Sequence, residues 1–354
     1  MQNAQNGCMQ NEDINKETPC DSISLGASDV SQNVRHNSSG EQSQTGDCRR
    51  VLQPEWPTII LAIGCYGAWA SVLACYDVLG PWLSTAVMTL LLVLHSSMQH
   101  EIIHGHPFAK RWANTLLGCP PLGLFVPFER FRDLHLKHHQ DHVLTDPYDD
   151  PESNYLSRGG WDKLPPAVRI LLRINNTLVG RMLIGPLVGL VHFYREDLRG
   201  LQEGRPELWR AYAVHCIGLA IVGLLFWTIS PMPWWLYMVS AYLTMSVLKI
   251  RTFLEHRAHE IVEHRTAIVE DRGLLAFLFL NNNLHALHHQ KPWLPWYDLP
   301  QQYRVNRTAI LHANGAYVFS SYWFVIRRYF FRPKDPVCHP LLPIPAASQK
   351  RAEM

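Results

Sequence analysis

Residues 58–79 read "TIILAIGCYGAWASVLACYDVL", an apolar run broken only by one late aspartate. Its length is close to what an α-helix needs to cross the ~30 Å hydrocarbon core of a bilayer. No water is available there to satisfy backbone N–H and C=O groups, so a helix is the conformation such a run can adopt. A second run, 82–99, follows the turn signal "GP", and the two are predicted to form a tight hairpin. A third, 212–229 ("YAVHCIGLAIVGLLFWTI"), turns at "SPMP" and returns over 234–250 ("WWLYMVSAYLTMSVLKI"). Tryptophan and tyrosine flank this second hairpin, as they do at membrane interfaces. The fold class that follows is an all-α integral membrane protein with four transmembrane helices in two hairpins.

Charge orients these spans. The two turns predicted on the outer side contain no Lys or Arg, whereas Arg49, Arg50, Lys110, Arg111, Arg130, Arg132, Lys137, Lys249 and Arg251 all fall on the other side. Positive charge is retained in the cytoplasm, so both termini and the long middle segment are expected there, in a multi-pass protein of a bacterial inner membrane. The shorter apolar stretches 115–128, 182–194 and 274–280 are too short to span and should lie at the interface or beneath a cytoplasmic helical cap. Residues 1–50 are rich in Asn, Gln, Ser, Asp and Gly and nearly free of aromatics, the composition of a disordered polar tail. They show no basic segment followed by an apolar one and so do not read as a secretory signal. The membrane domain is expected over 51–335, with a C-terminal tail over 336–354.

Across all 354 residues the formal net charge is +2, too small a field to suggest nucleic acid as a partner. The eight cysteines are scattered, with no CxxC pair, and read as reduced bystanders. The 19 histidines are different, because they cluster. "HEIIHGH" places His100 and His104 four apart where the second span leaves the bilayer, so both rings project from one helical face. The string also matches HExxH, the zinc-protease pattern in which Glu101 would be a general base. "HLKHH" sets His135, His138 and His139 at i, i+3 and i+4, and "HALHH" repeats that spacing with His285, His288 and His289.

Either triplet alone is as well read as a solvated polar helix face. Together with the first box, and with the helix ends placing all three on one membrane side, they read as a metal site. His256, in "LEHR" past the fourth span, is the ninth candidate, and His264 is its rival. His95, His192 and His215 stand alone in apolar surroundings and read as satisfied structural groups, while His106 and His142 break the helical register.

Nine imidazoles exceed what one zinc takes, since structural sites close with four ligands and catalytic sites with three. Two six-coordinate ions offer about twelve positions, which leaves room for oxygen, water or substrate. Imidazole suits iron, copper, nickel and zinc alike, so spacing does not choose the metal. Acids near the boxes could orient the rings from outside: Glu101, Asp133, Asp141, Asp146, Glu255 and the run "TDPYDDPE" at 145–152, with Asp141 and Asp146 favoured. For any one of these acids, a cap or turn role is the plainer alternative.

At "HEIIHGH", "HLKHHQD" with "TDPYDDPE" after it, "LEHR" and "NNNLHALHH", the chain resembles the membrane fatty acid desaturase and hydroxylase superfamily over roughly residues 55–335. The resemblance implies a bundle of four transmembrane helices under a cytoplasmic cap that holds a di-iron centre. Carried over, its ligands would be His100, His104, His135, His138, His139, His256, His285, His288 and His289. In some members an asparagine four residues before the lone histidine holds a water on one iron. Here that position is Thr252, and one of Asn281, Asn282 or Asn283 is a possible substitute, with Asn282 favoured.

The implied chemistry is oxygen-dependent: a donor reduces the two irons to the ferrous state, dioxygen binds, two hydrogens leave adjacent carbons of an acyl chain, and the oxygen leaves as water. No His-Pro-Gly-Gly cytochrome signature is present in the sequence, so a separate ferredoxin or cytochrome with its reductase is expected as donor. In size and motif style the chain also looks like the branch that makes the vinyl ether of rhizobitoxine, which would imply a small amphiphilic substrate. Hydroxylation or ketolation by the same centre is a further alternative. From other classes, a membrane zinc protease would leave two boxes unexplained. A metal carrier would need polar groups along the spans, and those are few.

Overall fold

A computed structural model describes residues 54–342, except for the side chain of Asp141. The expected disordered tail, 1–50, lies outside the described residues, as does the chain beyond 342.

The protein is mostly helical. Helix α1 (Trp56–Ala74), α2 (Tyr76–Ile103) and, after a middle region of shorter helices, the 24-residue Pro206–Ile229 are long and apolar enough to cross a membrane. In the first hairpin the turn is longer than the hydropathy suggests. The first span stops at Ala74, and Gly80 breaks the helical path of α2 with φ 71° and ψ 172°. A side chain at that φ would be strained, and Pro81 has no N–H to continue the ladder, so the straight part of α2 starts there.

The middle region comprises α3 (Arg111–Gly118), α4 (Phe128–His138), α5 (Arg158–Asp162), α6 (Pro166–Asn175), α7 (Leu178–Leu183) and α8 (Gly185–Gln202). The Pro206–Ile229 helix is then α9, and α10 (Trp234–Thr252) follows the "SPMP" turn. The short apolar stretches of the sequence fall in α3 and the loop after it, in α7 and α8, and in the five-residue α11 (Leu274–Leu278). Leu183, Leu187, Val191 and Leu198 of α7 and α8 are exposed.

Helix α10 is less apolar than the other three long helices, and it packs along α2 through small polar residues. Ser84, Ser240 and Thr244 are buried at that contact. The Thr244 hydroxyl donates to Ser240 O on its own helix and lies 3.1 Å from Thr89 O across the interface. Small side chains let backbones approach where lipid gives no hydrophobic drive to helix association. Deeper in the bundle, the Trp69 indole donates to Tyr237 Oη at 2.9 Å, and that hydroxyl donates to Leu122 O at 2.8 Å. The chain of bonds ties α1, α10 and the loop after α3 together inside the apolar cluster of Leu73, Met88, Leu92 and Leu236.

At the other end of α2, a second apolar cluster including Met98, Ile102, Phe128, Ile250, Leu254 and Phe279 supports the segments that follow α10. Two two-residue strands, β1 (Ile268–Val269) and β2 (Val318–Phe319), pair in parallel there. Between them run α12 (His285–Gln290) and α13 (Leu299–Ala313), which pack through Leu284, Leu287, Leu299 and Tyr303, and α14 (Tyr322–Tyr329) follows β2.

Candidate metal centre

Each histidine box sits at the end of an element that holds it firmly. His100 occupies the last turn of α2 and is 1% exposed, and His104 caps that helix. His135 and His138 lie on α4, with His139 as its C-cap. His256 comes four residues after α10 ends, in a non-helical segment that bridges to Thr266. The third box forms α12, which is fixed against β1: Val269 N–H donates to Asn283 O at 2.8 Å and Ala286 N–H to Ala267 O at 3.0 Å. The turn into it places Leu280 and Asn281 at φ 48° and 57°, and the Asn281 amide is anchored on Trp296 O.

These elements bring the nine imidazoles together in two groups: His100, His104, His135, His139 and His288 in one, and His138, His256, His285 and His289 in the other. Within each group one nitrogen per ring lies within 4.8 Å of all the others. Nitrogens bound at ~2.1 Å to a single ion stand at most about 4.2 Å apart, so only a small contraction separates this arrangement from coordination. His264, the rival ninth residue, is in neither group and packs on His259 at 4.8 Å between ring centroids. His95 lies 3.3 Å from the Tyr66 hydroxyl, His215 is bonded to Leu124 O, and His106 is bonded to Glu55 at 2.7 Å.

The groups that orient the rings come largely from the 145–152 run. His135 Nδ1 meets Glu152 and His138 Nδ1 meets Asp150, both at 2.8 Å, and Asp150 is itself held by Thr145 N–H and Glu152 N–H. His285 Nδ1 lies 2.9 Å from Asn282 Oδ1, and the Asn282 amide nitrogen is 3.5 Å from His100 Nε2. Asn282 therefore touches one ring of each group. Glu255 stands 3.6 Å from His285 Nδ1 and pairs with Arg251 at 2.9 Å.

Of the acids favoured from sequence, Asp146 accepts the N–H groups of Tyr148 and Asp149, a local turn. Glu101 is buried but accepts Trp296 N–H at 3.0 Å. The Asp141 side chain lies outside what is described. Asp150 and Glu152 are 12 and 17 residues from the rings they hold, so nothing local in the sequence sets them apart from the other acids of the run.

Proton accounting shows that the cluster fits a cation. Carboxylates only accept, so neutral His135 and His138 carry their protons on Nδ1 and present bare Nε2 lone pairs inward. Asn282 does the same for His285. The lone pairs of His138 and His285 then converge on His256 Nε2 at 2.9 and 3.1 Å, and that atom has at most one proton to give. His288 Nε2 is buried with no hydrogen-bond partner among the described residues. A buried polar atom left unpaired is costly, and a shared cation removes the conflict.

The charge states agree. Burial, reinforced by neighbouring imidazoles, holds His104, His139, His256, His285, His288 and His289 below the ordinary histidine range, in the neutral form a metal takes. At His138 burial acts in the same direction, but the carboxylates of Glu152 and Asp150 outweigh it and raise the ring to about 9. Burial would push Glu152 up, yet His138 and His135 hold it well below the usual carboxylate range. A cation bound by these rings would have to displace the proton that the two carboxylates favour on His138.

Residues 76–322 match the family model of the fatty acid desaturases, a span that takes in all nine imidazoles and the helices that carry them. The chain belongs to the fatty acid desaturase family. No curated protein matches it. Family membership makes it an oxidoreductase of membrane desaturase type, and in this desaturase the two histidine groups are residues able to hold metal.

Proposed function

We propose that the protein is an oxygen-dependent membrane desaturase in which the groups of five and four imidazoles hold two iron ions and a double bond is introduced into an acyl chain. The observation that carries this is the division of nine histidines into two adjacent sets, each compact enough for one ion. A set of five leaves one position of a six-coordinate ion open, and a set of four leaves two. We take α10 as a fourth span, with 51–335 as the membrane domain, and place the cluster on the cytoplasmic side, next to the lipid that would deliver an apolar substrate.

The balance of the reaction is –CH2–CH2– plus O2, two electrons and two protons, giving –CH=CH– and two waters. O2 is the oxidant, and the chemistry that a bound iron pair would supply is its activation. The protein's own part is to hold imidazoles in fixed tautomers through Asp150, Glu152 and Asn282 and to keep the site dry, since an oxidant able to attack an unactivated C–H bond must be shielded. A separate ferredoxin or cytochrome with its reductase would deliver the electrons. Against the zinc-protease reading stand the two further histidine boxes, which it leaves without a role, and the engagement of the Glu101 carboxylate by the Trp296 N–H.

Metal analysis of the detergent-purified protein tests the centre, with about two irons per chain expected and a single zinc overturning it. Mass spectrometry of membrane lipids from cells making the protein tests the reaction. Acyl products lighter by two mass units support it, whereas products heavier by sixteen, or a change confined to small amphiphiles, replace it.

A further inference from the structure

Eight of the nine imidazoles sit on a helix or its cap, beside a neighbour from the same box. His256 stands alone on an irregular segment. Its side chain also lacks the usual outer support: His135, His138 and His285 each engage a partner through Nδ1, but His256 Nδ1 is buried with no hydrogen-bond partner among the described residues. With the ring unsupported, its place between His138 and His285 depends on the backbone that carries it.

That backbone is held from the C-terminal side. The Lys334 ammonium donates to His256 O at 2.7 Å and to Tyr317 Oη at 2.9 Å, and the Tyr317 hydroxyl in turn donates to Leu254 O at 2.9 Å. Asp335 takes the remaining direction of the ammonium. Three donors spread tetrahedrally suit three acceptors, and burial of the charge, which is 9% exposed, is offset by the carboxylate. The strap bearing Lys334 is anchored in turn. Pro333 bridges to Thr177, Asn176 donates to Asp335 O at 2.6 Å, and Leu156 exchanges backbone bonds with Val337 and His339 at 2.9 Å. Leu156 lies just past Asp150 and Glu152, so one strap grips both the His256 turn and the acidic loop.

We infer that Lys334 is a positioning residue for His256, and that through it a segment beyond the family-matched residues sets how tightly the four-histidine group holds its ion. The inference rests on the two-ion reading above.

The test is a ferrous iron titration, under anaerobic conditions, of the full-length detergent-purified protein, wild type beside Lys334→Met, Lys334→Arg and Tyr317→Phe, with thermal unfolding of each metal-free form. Lys334→Met should bind one ion as wild type does and the other about 10-fold to 100-fold more weakly, the range typical of lost outer support. Lys334→Arg should recover most of that loss, and Tyr317→Phe, which keeps the ring and leaves Lys334 its bond to His256 O but removes both the hydroxyl that accepts from Lys334 and the link to Leu254, should fall between. Two undiminished ions in Lys334→Met overturn the inference alone. So does an equal weakening of both ions with a lower melting temperature, which would mark a general structural role. A wild type that binds fewer than two ions overturns the two-ion reading and this inference with it.

Discussion

At the scale of single residues, the outer partners decide what each ring can do. Glu152 and Asp150 raise His138 to about 9, whereas the other ligand candidates outside the spans are held low. At pH 7 the metal-free centre should therefore carry one proton that a metal must displace. Titration calorimetry in buffers of different ionisation enthalpy should show release of about one proton per chain on loading at pH 7, falling toward none as pH rises past about 9. Affinity should accordingly climb with pH up to that point. Glu152→Gln, which removes the carboxylate that favours the proton, should reduce the release at pH 7, and an unchanged release would refute the assignment. Because this pKa is raised on folding, its contribution to metal-free stability is full below the unfolded value of ~6.5 and is lost as pH climbs through about 9. Sequence alone marks eight of the nine rings, because the i, i+4 spacing shared by the three boxes is a local property of a helix, and it offers His256 only beside its rival His264. It could not show that Asp150, and not Asp146, completes His138, because that pairing is tertiary and both acids follow the same Asp-Pro turn grammar.

At the scale of elements, a buried carboxylate in HExxH invites a catalytic reading that its surroundings do not support. Glu101 lies on α2 between His100 and His104, and its carboxylate accepts the Trp296 N–H at 3.0 Å. The Asn281 side chain holds Trp296 O at 2.9 Å, so the loop after α12 is gripped on both sides of one residue, once from box one and once from the asparagine run. Glu101 thus acts as a strut between α2 and that loop. Glu101→Gln keeps an acceptor for the N–H and should leave iron content at about two per chain and turnover within roughly threefold of wild type. Loss of a general base would instead cost about 100-fold or more, and metal analysis beside product assays separates the two. Other element-scale features had little sequence signature. The β1–β2 pair is two residues long and has no period to detect, yet it sets α12 against the His256 segment. The first hairpin breaks at Cys75 and again at Gly80, while hydropathy alone runs the helix on to 79, because only Asp77 interrupts the apolar residues between.

At the scale of the whole molecule, apolar helices and histidines are segregated toward opposite ends of the long helices. The turn around Cys75 and Gly80 starts α2 and His100 and His104 end it, so the turn and the centre are separated by a full span. If arginine and lysine are held in the cytoplasm, the turn faces outward and the centre inward. Two native thiols report on this without disturbing either end: Cys75 is exposed in the turn, and Cys338 lies in the strap beside the centre. In variants that keep one of these cysteines and replace the rest by serine or alanine, a membrane-impermeant maleimide added to intact spheroplasts should label Cys75 and leave Cys338 unlabelled until the membrane is opened. The reverse pattern would put the centre outside, away from cytoplasmic electron donors, and labelling of both thiols in intact spheroplasts would mean that α2, α9 and α10, the long helices between them, do not make an odd number of crossings. Either result would remove the reason that the proposed function gives for setting nine imidazoles at this edge of the bilayer, where reducing equivalents would arrive from one side and an apolar chain from the other.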